Sequence, residues 1–381
     1  MNAEPGSFKF PMVRKVRVFT YIPSPYQVEL FDAIARSGSL ALDVCYLYSA
    51  DPDRLWGMPE VGHPHVFLND DRNLYAEVER SFDACELVVF NYYQHSLLLG
   101  LIKRREQSGK AWCFWGERPG YRRLGRLGLL YRMLKFSSLL NSDAPIWGMG
   151  EWAVAQYREE YGEGRLYCNV PYFSDLSRFK RGVNNHHNGA SKTFLYAGSL
   201  IHRKGVDHLA RAFSRVADEC PGVRLKIIGE GNLRGRLERQ LARHGDRVEF
   251  AGFQKWGVLP QIYHTANILC VPSRYDGWNL VVPEGLAAGL PVISTDQTGA
   301  ALELIKHGEN GWIVPSEDAE SLYQSMREAA LLTQPSLTEM SMAAETSVAR
   351  HSITDGVERF HQAVYATLEA HEKGKKGHLD A

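Results

Sequence analysis

Short apolar runs alternate with longer segments of helical periodicity along both halves of this chain. The alternation is typical of parallel βαβ units, in which helices join buried strands and cover the sheet. In the first half, apolar runs predict strands at 16–20, 42–46, 87–90 and 111–114. Helical patterns between them predict helices at 26–35 and 96–106. We therefore expect an α/β fold with parallel strands.

The second half repeats this alternation more regularly. Apolar runs predict strands at 193–197, 224–228, 248–250, 268–271, 292–294 and 312–314. Helices are predicted at 206–217, 233–243, 283–288, 300–305 and 319–332. After Pro171 the chain becomes polar, and the Asn- and His-rich run at 184–189 predicts a linker between two domains. A last helical pattern at 356–371 precedes a tail rich in Lys and Gly, which we expect to fray.

The composition is that of a globular protein long enough for two domains, with 381 residues, 44% of them apolar and 23% charged. A net charge of zero gives no bulk-charge reason to expect a nucleic-acid partner. The six cysteines are scattered without CxxC spacing, so we expect neither a metal site nor a disulfide framework. Cys113 and Cys270 lie in apolar runs, as buried reduced thiols of a cytoplasmic protein do. No stretch approaches the roughly 18 apolar residues of a membrane-spanning helix.

The loop at 274–284 is the most informative segment for function. It follows a predicted strand, and ligands of α/β sheets bind at the carboxyl ends of strands. Asp276 and Glu284 lie at its two sides. The amides at 280–282 would enter the next helix unpaired and favour an anion, while Pro283 suits the first helical position. We therefore expect a phosphate-bearing ligand here, with a carboxylate on each side.

A second loop, at 197–205, combines glycines with two cations. It contains Gly198 and carries Arg203 and Lys204 next to each other. Glycine loops expose backbone amides and adjacent cations attract phosphate, so the loop suits a diphosphate; the alternative is a solvated basic loop. The turn at Gly229, after the next strand, is a weaker signal of the same kind.

These segments resemble retaining glycosyltransferases of family 4, which have the GT-B fold. The resemblance rests on two acidic residues separated by seven, Asp276 and Glu284, followed by a small-residue helix and the strand that begins Pro291-Val292. It implies two Rossmann-like domains facing each other across a cleft. The implied units are an acceptor-side domain at 1–175, a nucleotide-sugar domain at 176–345, a helix at 346–370 that crosses back to the first domain, and a flexible tail at 371–381.

The resemblance also implies a role for each motif residue. Asp276 would face the transferred sugar, Glu284 would bind the nucleotide ribose, and Lys204 would grip the donor phosphates. The chain departs from the family pattern at three positions: Asp276 replaces the usual Glu, Asn279 the usual Gly, and Ser199 the usual Arg. Arg203 would then supply the second cation.

The first domain lacks the His that many family members place at the end of the strand predicted here at 111–114. Glu117 and Arg118 follow that strand instead, and His95 lies after an earlier one. The expected catalytic residues are Asp276, Lys204 and Glu117. The expected donor-binding residues are Glu284, Arg203, Gly198, Gly229, Phe253, Asn279, Leu280 and Val281. The candidates for the acceptor side of the cleft are Ser24, Tyr26, His95 and Arg118.

The function implied is a retaining, metal-independent transfer of a sugar from a UDP- or GDP-linked donor to a hydroxyl of a glycan or lipid-linked glycan. It needs no cofactor beyond this co-substrate and would serve bacterial surface polysaccharide synthesis. One alternative is a catalytically silent GT-B scaffold that binds a nucleotide sugar or a partner enzyme, and another is a GT-B epimerase or phosphorylase. Leucines and arginines at 121–140 predict either a buried helix with snorkelling arginines or a helix on the anionic inner face of the plasma membrane.

Overall fold

The computed structural model describes residues 13–51, 57–68, 78, 80–119, 130, 134, 136–181 and 191–379. They form two parallel β-sheets, one of seven strands in the first half and one of six in the second. Separate clusters of buried apolar side chains belong to each sheet, two per sheet. The predicted α/β fold with two Rossmann-like sheets is confirmed.

The first sheet has the strand order β3-β2-β1-β4-β5-β6-β7. Its strands are β1 (Arg14–Thr20), β2 (Leu40–Tyr46), β3 (His65–Phe67), β4 (Leu87–Phe90), β5 (Trp112–Gly116), β6 (Ile146–Gly148) and β7 (Tyr167–Asn169). The four strands predicted in this half are present as β1, β2, β4 and β5. Strands β3, β6 and β7, each of three residues, are not among those predicted from the sequence.

The second sheet has the strand order β10-β9-β8-β11-β12-β13. Its strands are β8 (Lys192–Ala197), β9 (Val223–Ile228), β10 (Val248–Gly252), β11 (Ile268–Val271), β12 (Val292–Thr295) and β13 (Gly311–Val314). All six were predicted within about two residues. Strand order reverses between β8 and β11, and such a switch point opens a crevice at the carboxyl ends of the strands.

Helices cover both sheets. They are α1 (Pro25–Ser37), α2 (Ser96–Gln107), α3 (Ser137–Leu140), α4 (Glu151–Tyr161), α5 (Val206–Glu219), α6 (Arg234–Leu241), α7 (Leu259–Tyr263), α8 (Val281–Ala287), α9 (Gly299–Leu304), α10 (Ala319–Leu331), α11 (Gln334–Ser347) and α12 (Ile353–Leu379). Helix α5 shows why the pattern works, since its buried residues Val206, Leu209, Phe213 and Val216 recur every three or four positions. No helix in the described ranges has both the length and the apolarity needed to cross a bilayer.

The last helix, α12, completes the core of the first sheet. It packs along α1, and Phe360 places its ring 5.8 Å from that of Trp115 and 5.3 Å from that of Trp147. Trp147 also donates its indole N–H to Thr367 at 3.0 Å. The helix continues to Leu379, through the segment for which the sequence predicts a tail.

The two sheets are joined by contacts near Tyr172 and Phe173, in the segment between β7 and β8. His351 is buried and stacks between Phe173 and Trp278, with ring centroids 4.4 and 5.6 Å away. Its Nε2 donates to the Tyr172 carbonyl at 3.0 Å. Burial lowers the pKa of His351 to about 4, so the ring is neutral at pH 7. Tyr275 adds a second link, since its hydroxyl donates to the Arg118 carbonyl at 2.6 Å.

Candidate active site

Two cations, one carboxylate and one amide form a cluster at the carboxyl edge of the second sheet. Lys204 Nζ lies 2.5 Å from Asp276 Oδ2, and Arg203 Nη1 lies 3.7 Å from the same oxygen. Asn279 Nδ2 donates to this oxygen at 3.0 Å. The Asp276 side chain is 12% exposed and that of Arg203 46% exposed. The cluster therefore carries one excess positive charge and presents it through the guanidinium group.

A buried ion pair supports the turn that carries these cations. Arg274 makes a bidentate contact with Asp207 at 2.6 and 2.9 Å and donates to the His202 carbonyl at 2.6 Å. Burial raises the pKa of Asp207, but the hydrogen bonds and charge of Arg274 outweigh burial and hold this pKa at about 2. No sequence pattern indicates this pair, because the partners are 67 positions apart.

The glycine turns after β8 and β9 pack against each other through their backbones. Gly198 N–H donates to the Ile228 carbonyl at 3.0 Å, and Gly229 N–H donates to the Gly252 carbonyl at 2.8 Å. Gly229 has φ +126°, and a Cβ there would overlap the Gly198 carbonyl oxygen. These two amides are therefore paired within the protein, and the absence of a side chain at Gly229 allows the close approach of the two turns.

The loop between β11 and α8 differs from its prediction in two respects. Helix α8 begins at Val281, so Pro283 is its third residue and not its first. Val281 N–H donates to Asn279 Oδ1 at 3.2 Å and Val282 N–H to the Asn279 carbonyl at 3.3 Å, so these amides are not unpaired. Asn279 has φ +77°, a conformation that glycine adopts freely and asparagine tolerates, which explains the exchange of the family Gly for Asn. Leu280, half-buried, directly precedes the helix.

Glu284 lies on α8 and is 1% exposed. Tyr263, from α7, donates its hydroxyl to Glu284 Oε2 at 2.9 Å. Burial raises the pKa of Glu284 to about 8, although the Tyr263 hydrogen bond opposes the shift. The carboxyl group predicted to bind ribose is therefore mostly protonated at pH 7 in the donor-free protein. The sequence does not single out Tyr263, which lies in a short helix 21 positions away.

Glu117 approaches the acidic loop from the first domain. A Cβ on Gly277 would lie 2.6 Å from Glu117 Oε2, so the absence of a side chain at Gly277 allows this approach. The residue is accessible to solvent, yet protein atoms of both domains crowd its carboxyl group. This crowding, and then the charge of Asp276, raises the pKa of Glu117, while a hydrogen bond from Tyr172 opposes the shift. Glu117 and Asp276 thus face one cleft from opposite domains.

The other first-domain candidates differ in how they relate to this pair of carboxylates: Tyr26 contacts Tyr172, which hydrogen-bonds Glu117, and Arg118 directly follows Glu117. Ser24 is buried just before α1, and the Tyr26 ring lies 4.6 Å from that of Tyr172. His95 precedes α2, half-buried. Arg118 is held at the domain contact, with its guanidinium carbon 3.2 Å from the Trp152 ring centroid and its Nε donating to Gln156 at 2.6 Å. As placed, Arg118 joins the domains.

Phe253, one of the expected donor-binding residues, follows β10 and is 41% exposed. The described residues include no group of three His, Cys, Asp or Glu side chains arranged to hold a metal ion.

Residues 191–331 match the family model described as glycosyl transferases group 1, a span that contains both cation and carboxylate loops. An uncharacterized glycosyltransferase from Methanocaldococcus jannaschii is 35% identical over 127 residues. The match covers 32% of this chain and 32% of that protein, so the chain spans about a third of its length.

Two solved structures match over nearly the whole chain. HepE from Anabaena, solved with UDP and glucose, gives a TM-score of 0.72 at 14% identity and covers 92% of this chain and 99% of its own. WaaB, a lipopolysaccharide outer core galactosyltransferase, gives a TM-score of 0.68 at 15% identity and covers 93% and 99%. Identities this low show the fold, which is GT-B. Together with the family match, they support a group 1 glycosyltransferase.

Proposed function

We propose that this protein is a retaining glycosyltransferase of family 4, which moves a sugar from a UDP- or GDP-linked donor to a hydroxyl of a glycan or lipid-linked glycan. The cluster of Lys204, Arg203 and Asp276, opposite Glu117, carries the proposal. Two structural neighbours support it, since HepE was solved with UDP and glucose and WaaB is a lipopolysaccharide outer core galactosyltransferase. The reaction would take place in the cytoplasm, in bacterial surface polysaccharide synthesis.

The donor diphosphate would exchange places with Asp276 as the partner of the two cations. Its charge exceeds that of one carboxylate, so Lys204 and Arg203 would turn to the phosphates. As the bond to the sugar breaks, negative charge grows on the leaving phosphate, and the fixed cations stabilise it without a metal. Asp276, released from Lys204, could then accept a hydrogen bond from a sugar hydroxyl, with Glu117 on the far side of the sugar.

Lys204→Met tests this function against a matched control. The purified protein is incubated with a panel of UDP- and GDP-sugars, and donor hydrolysis is followed together with the thermal shift. Lys204→Met should slow hydrolysis about 30- to 1000-fold, the effect of losing about 2–4 kcal/mol of charge stabilisation. Lys306→Met, which changes a lysine that is 75% exposed, should match wild type. Equal rates for Lys204→Met and wild type contradict the assignment.

Two further readouts separate the alternatives. NMR of the released sugar, recorded before its anomers equilibrate, should show the donor's anomeric configuration if the enzyme is retaining. A catalytically silent scaffold would bind a nucleotide sugar in the thermal-shift assay and release no sugar.

We also propose contact between segment 121–140 and an anionic membrane. Leu130 and Leu134 support this proposal, since they are 53% and 71% exposed. The arginines at 122, 123 and 126 lie outside the described residues. The proposal would place the acceptor at the inner face of the plasma membrane.

A further inference from the structure

A group of half-buried aromatic side chains lies at the carboxyl edge of the first sheet. We propose that Tyr21, Tyr48, Tyr92 and His95, here called the aromatic platform, bind a pyranose ring of the acceptor. This inference rests on the proposed function and adds to it the residues and the class of ligand on the acceptor side.

The platform is built from the ends of three neighbouring strands. Tyr21 follows β1 directly, Tyr48 follows β2 by two residues, and Tyr92 follows β4 by two residues. The Tyr21 ring lies 5.4 Å from that of Tyr48 and 5.0 Å from that of Tyr92, and the His95 ring lies 6.3 Å from that of Tyr48. The Tyr48 N–H donates to the Tyr21 carbonyl at 3.0 Å, which fixes these two residues side by side. Four rings from the ends of three strands thus form one contiguous cluster.

The platform packs on the core of the first sheet but is not buried in it. Its tyrosines pack on the cluster that contains Phe19, Phe90 and Leu98, yet each of the four platform residues keeps part of its surface in solvent. Leucine or phenylalanine would close the core equally well. Tyrosine and histidine add polar groups at the rim of the apolar surface, where a ligand could meet them.

The chemistry of the platform matches a sugar ring better than a lipid or a phosphate. A pyranose has a face of C–H groups, which packs on aromatic rings, and a rim of hydroxyls, which needs hydrogen-bond partners. The tyrosine hydroxyls and the His95 imidazole are groups that can make such hydrogen bonds. An acyl chain could not hydrogen-bond to these groups, and the four platform residues include no Lys or Arg to hold a phosphate.

A polar network connects the platform with the catalytic side of the cleft. Asn91, next to Tyr92, donates through Nδ2 to the Trp115 carbonyl at 2.9 Å and accepts from Gln27 at 3.0 Å. Trp115 lies in β5, two residues before Glu117. A sugar held on the platform therefore lies on the strand-end surface that also carries Glu117, as an acceptor must.

Fluorine NMR of protein labelled with 3-fluorotyrosine tests the platform directly. The chain has 18 tyrosines, and Tyr→Phe variants at positions 21, 48 and 92 assign the three platform signals with minimal change to packing. Methyl pyranosides of the gluco, galacto and manno series are the probes, added without donor. At least one should shift the three platform signals and leave that of Tyr365, on α12, unchanged. No shift with any probe, or equal shifts at all tyrosines, overturns the proposal.

Variants that keep apolar volume without an aromatic face give a second test. Tyr48→Leu and Tyr92→Leu should weaken binding of the responding pyranoside about fivefold each, which corresponds to about 1 kcal/mol for an aromatic contact. Tyr92→Phe should keep most of the affinity, and Tyr365→Leu, at a half-buried position beside Arg14, should keep all of it. Equal affinity of the Leu and Phe variants overturns the platform, because an aliphatic surface would then suffice.

Donor hydrolysis by the wild type, measured separately, distinguishes the two proposals. If the wild type hydrolyses a donor but binds no pyranoside, the transferase proposal is retained and the platform proposal is overturned. Pyranoside binding at the platform signals without hydrolysis of any donor supports the platform and contradicts the transferase.

Discussion

We predict that the buried carboxyl group of Glu284 makes nucleotide affinity depend on pH. In the donor-free protein burial holds its pKa at about 8, with Tyr263 donating to it at 2.9 Å. Under the proposed function, the ionised group accepts hydrogen bonds from the ribose hydroxyls. Because the pKa is raised, the ionised fraction, and with it the affinity, increases as the pH rises toward 8 and beyond.

The size of the effect follows from the fraction ionised. With a pKa of about 8, about one tenth of the molecules carry ionised Glu284 at pH 7 and about nine tenths at pH 9. The apparent Kd is the intrinsic Kd divided by this fraction, so affinity should rise about tenfold between the two pH values, about 1.4 kcal/mol. Glu284→Gln removes the titration, and Tyr263→Phe should move its midpoint to higher pH, because the lost hydrogen bond opposed the shift.

Calorimetry with paired nucleotides isolates the contribution of Glu284 to ribose binding. UDP or GDP, whichever binds, is compared with its 2′,3′-dideoxy form at pH 6 to 9, so that titration of the phosphates and base cancels in the ratio of affinities. In wild type the ratio should rise with pH, and in Glu284→Gln it should stay flat. The role given to Glu284 at the ribose would be refuted if the ratio in wild type did not depend on pH, or if Glu284→Gln showed the same pH dependence as wild type.

Three shorter predictions concern other groups. Asp207→Asn should lower the free energy of unfolding at pH 7, measured by urea unfolding, by about 3 kcal/mol, because Arg274 loses its buried partner. The pKa of Asp207 is depressed from 3.8 to about 2. The stabilisation by the ion pair is therefore present above pH 3.8 and is lost as the pH falls through 2. In wild type, kcat/KM should fall at acid pH with a midpoint above pH 4.5, and Glu117→Gln should abolish this fall. An unchanged pH profile would show that Glu117 takes no part in the chemistry. Changing the arginines at 122, 123 and 126 to Glu should abolish sedimentation with anionic vesicles at low salt, and wild type that stays in the supernatant contradicts membrane contact.

The sequence predicted the fold well because apolar runs and helical periods are local. All six strands of the second sheet follow from short segments rich in apolar residues, bounded by polar residues and turns. Helix α11 was missed because its buried positions include Ser341 and Ala344, which give little contrast with its exposed positions. Helix α4 was missed because charged and apolar residues are mixed along it, and its buried side includes Gln156 and Glu160.

The candidate site was predicted as a list of residues but not as a set of contacts. Asp276, Lys204 and Arg203 were identified from two separate loops, yet nothing in the sequence indicates that they pair in the donor-free protein. The supporting partners were missed for the same reason. Tyr263 for Glu284 and Arg274 for Asp207 come from distant positions, and only the folded chain brings them together.

Helix α12 has a consequence for how the protein is synthesised. It supplies Phe360 to the tryptophan pair at the centre of the first sheet, although the ribosome completes that sheet at Asn169 and reaches Ile353 only after the whole second domain. At roughly 5–20 residues per second, the nascent first domain waits roughly 10–40 s with Trp115 and Trp147 uncovered. During translation this surface is a natural binding site for chaperones, and removal of α12 would make that exposure permanent.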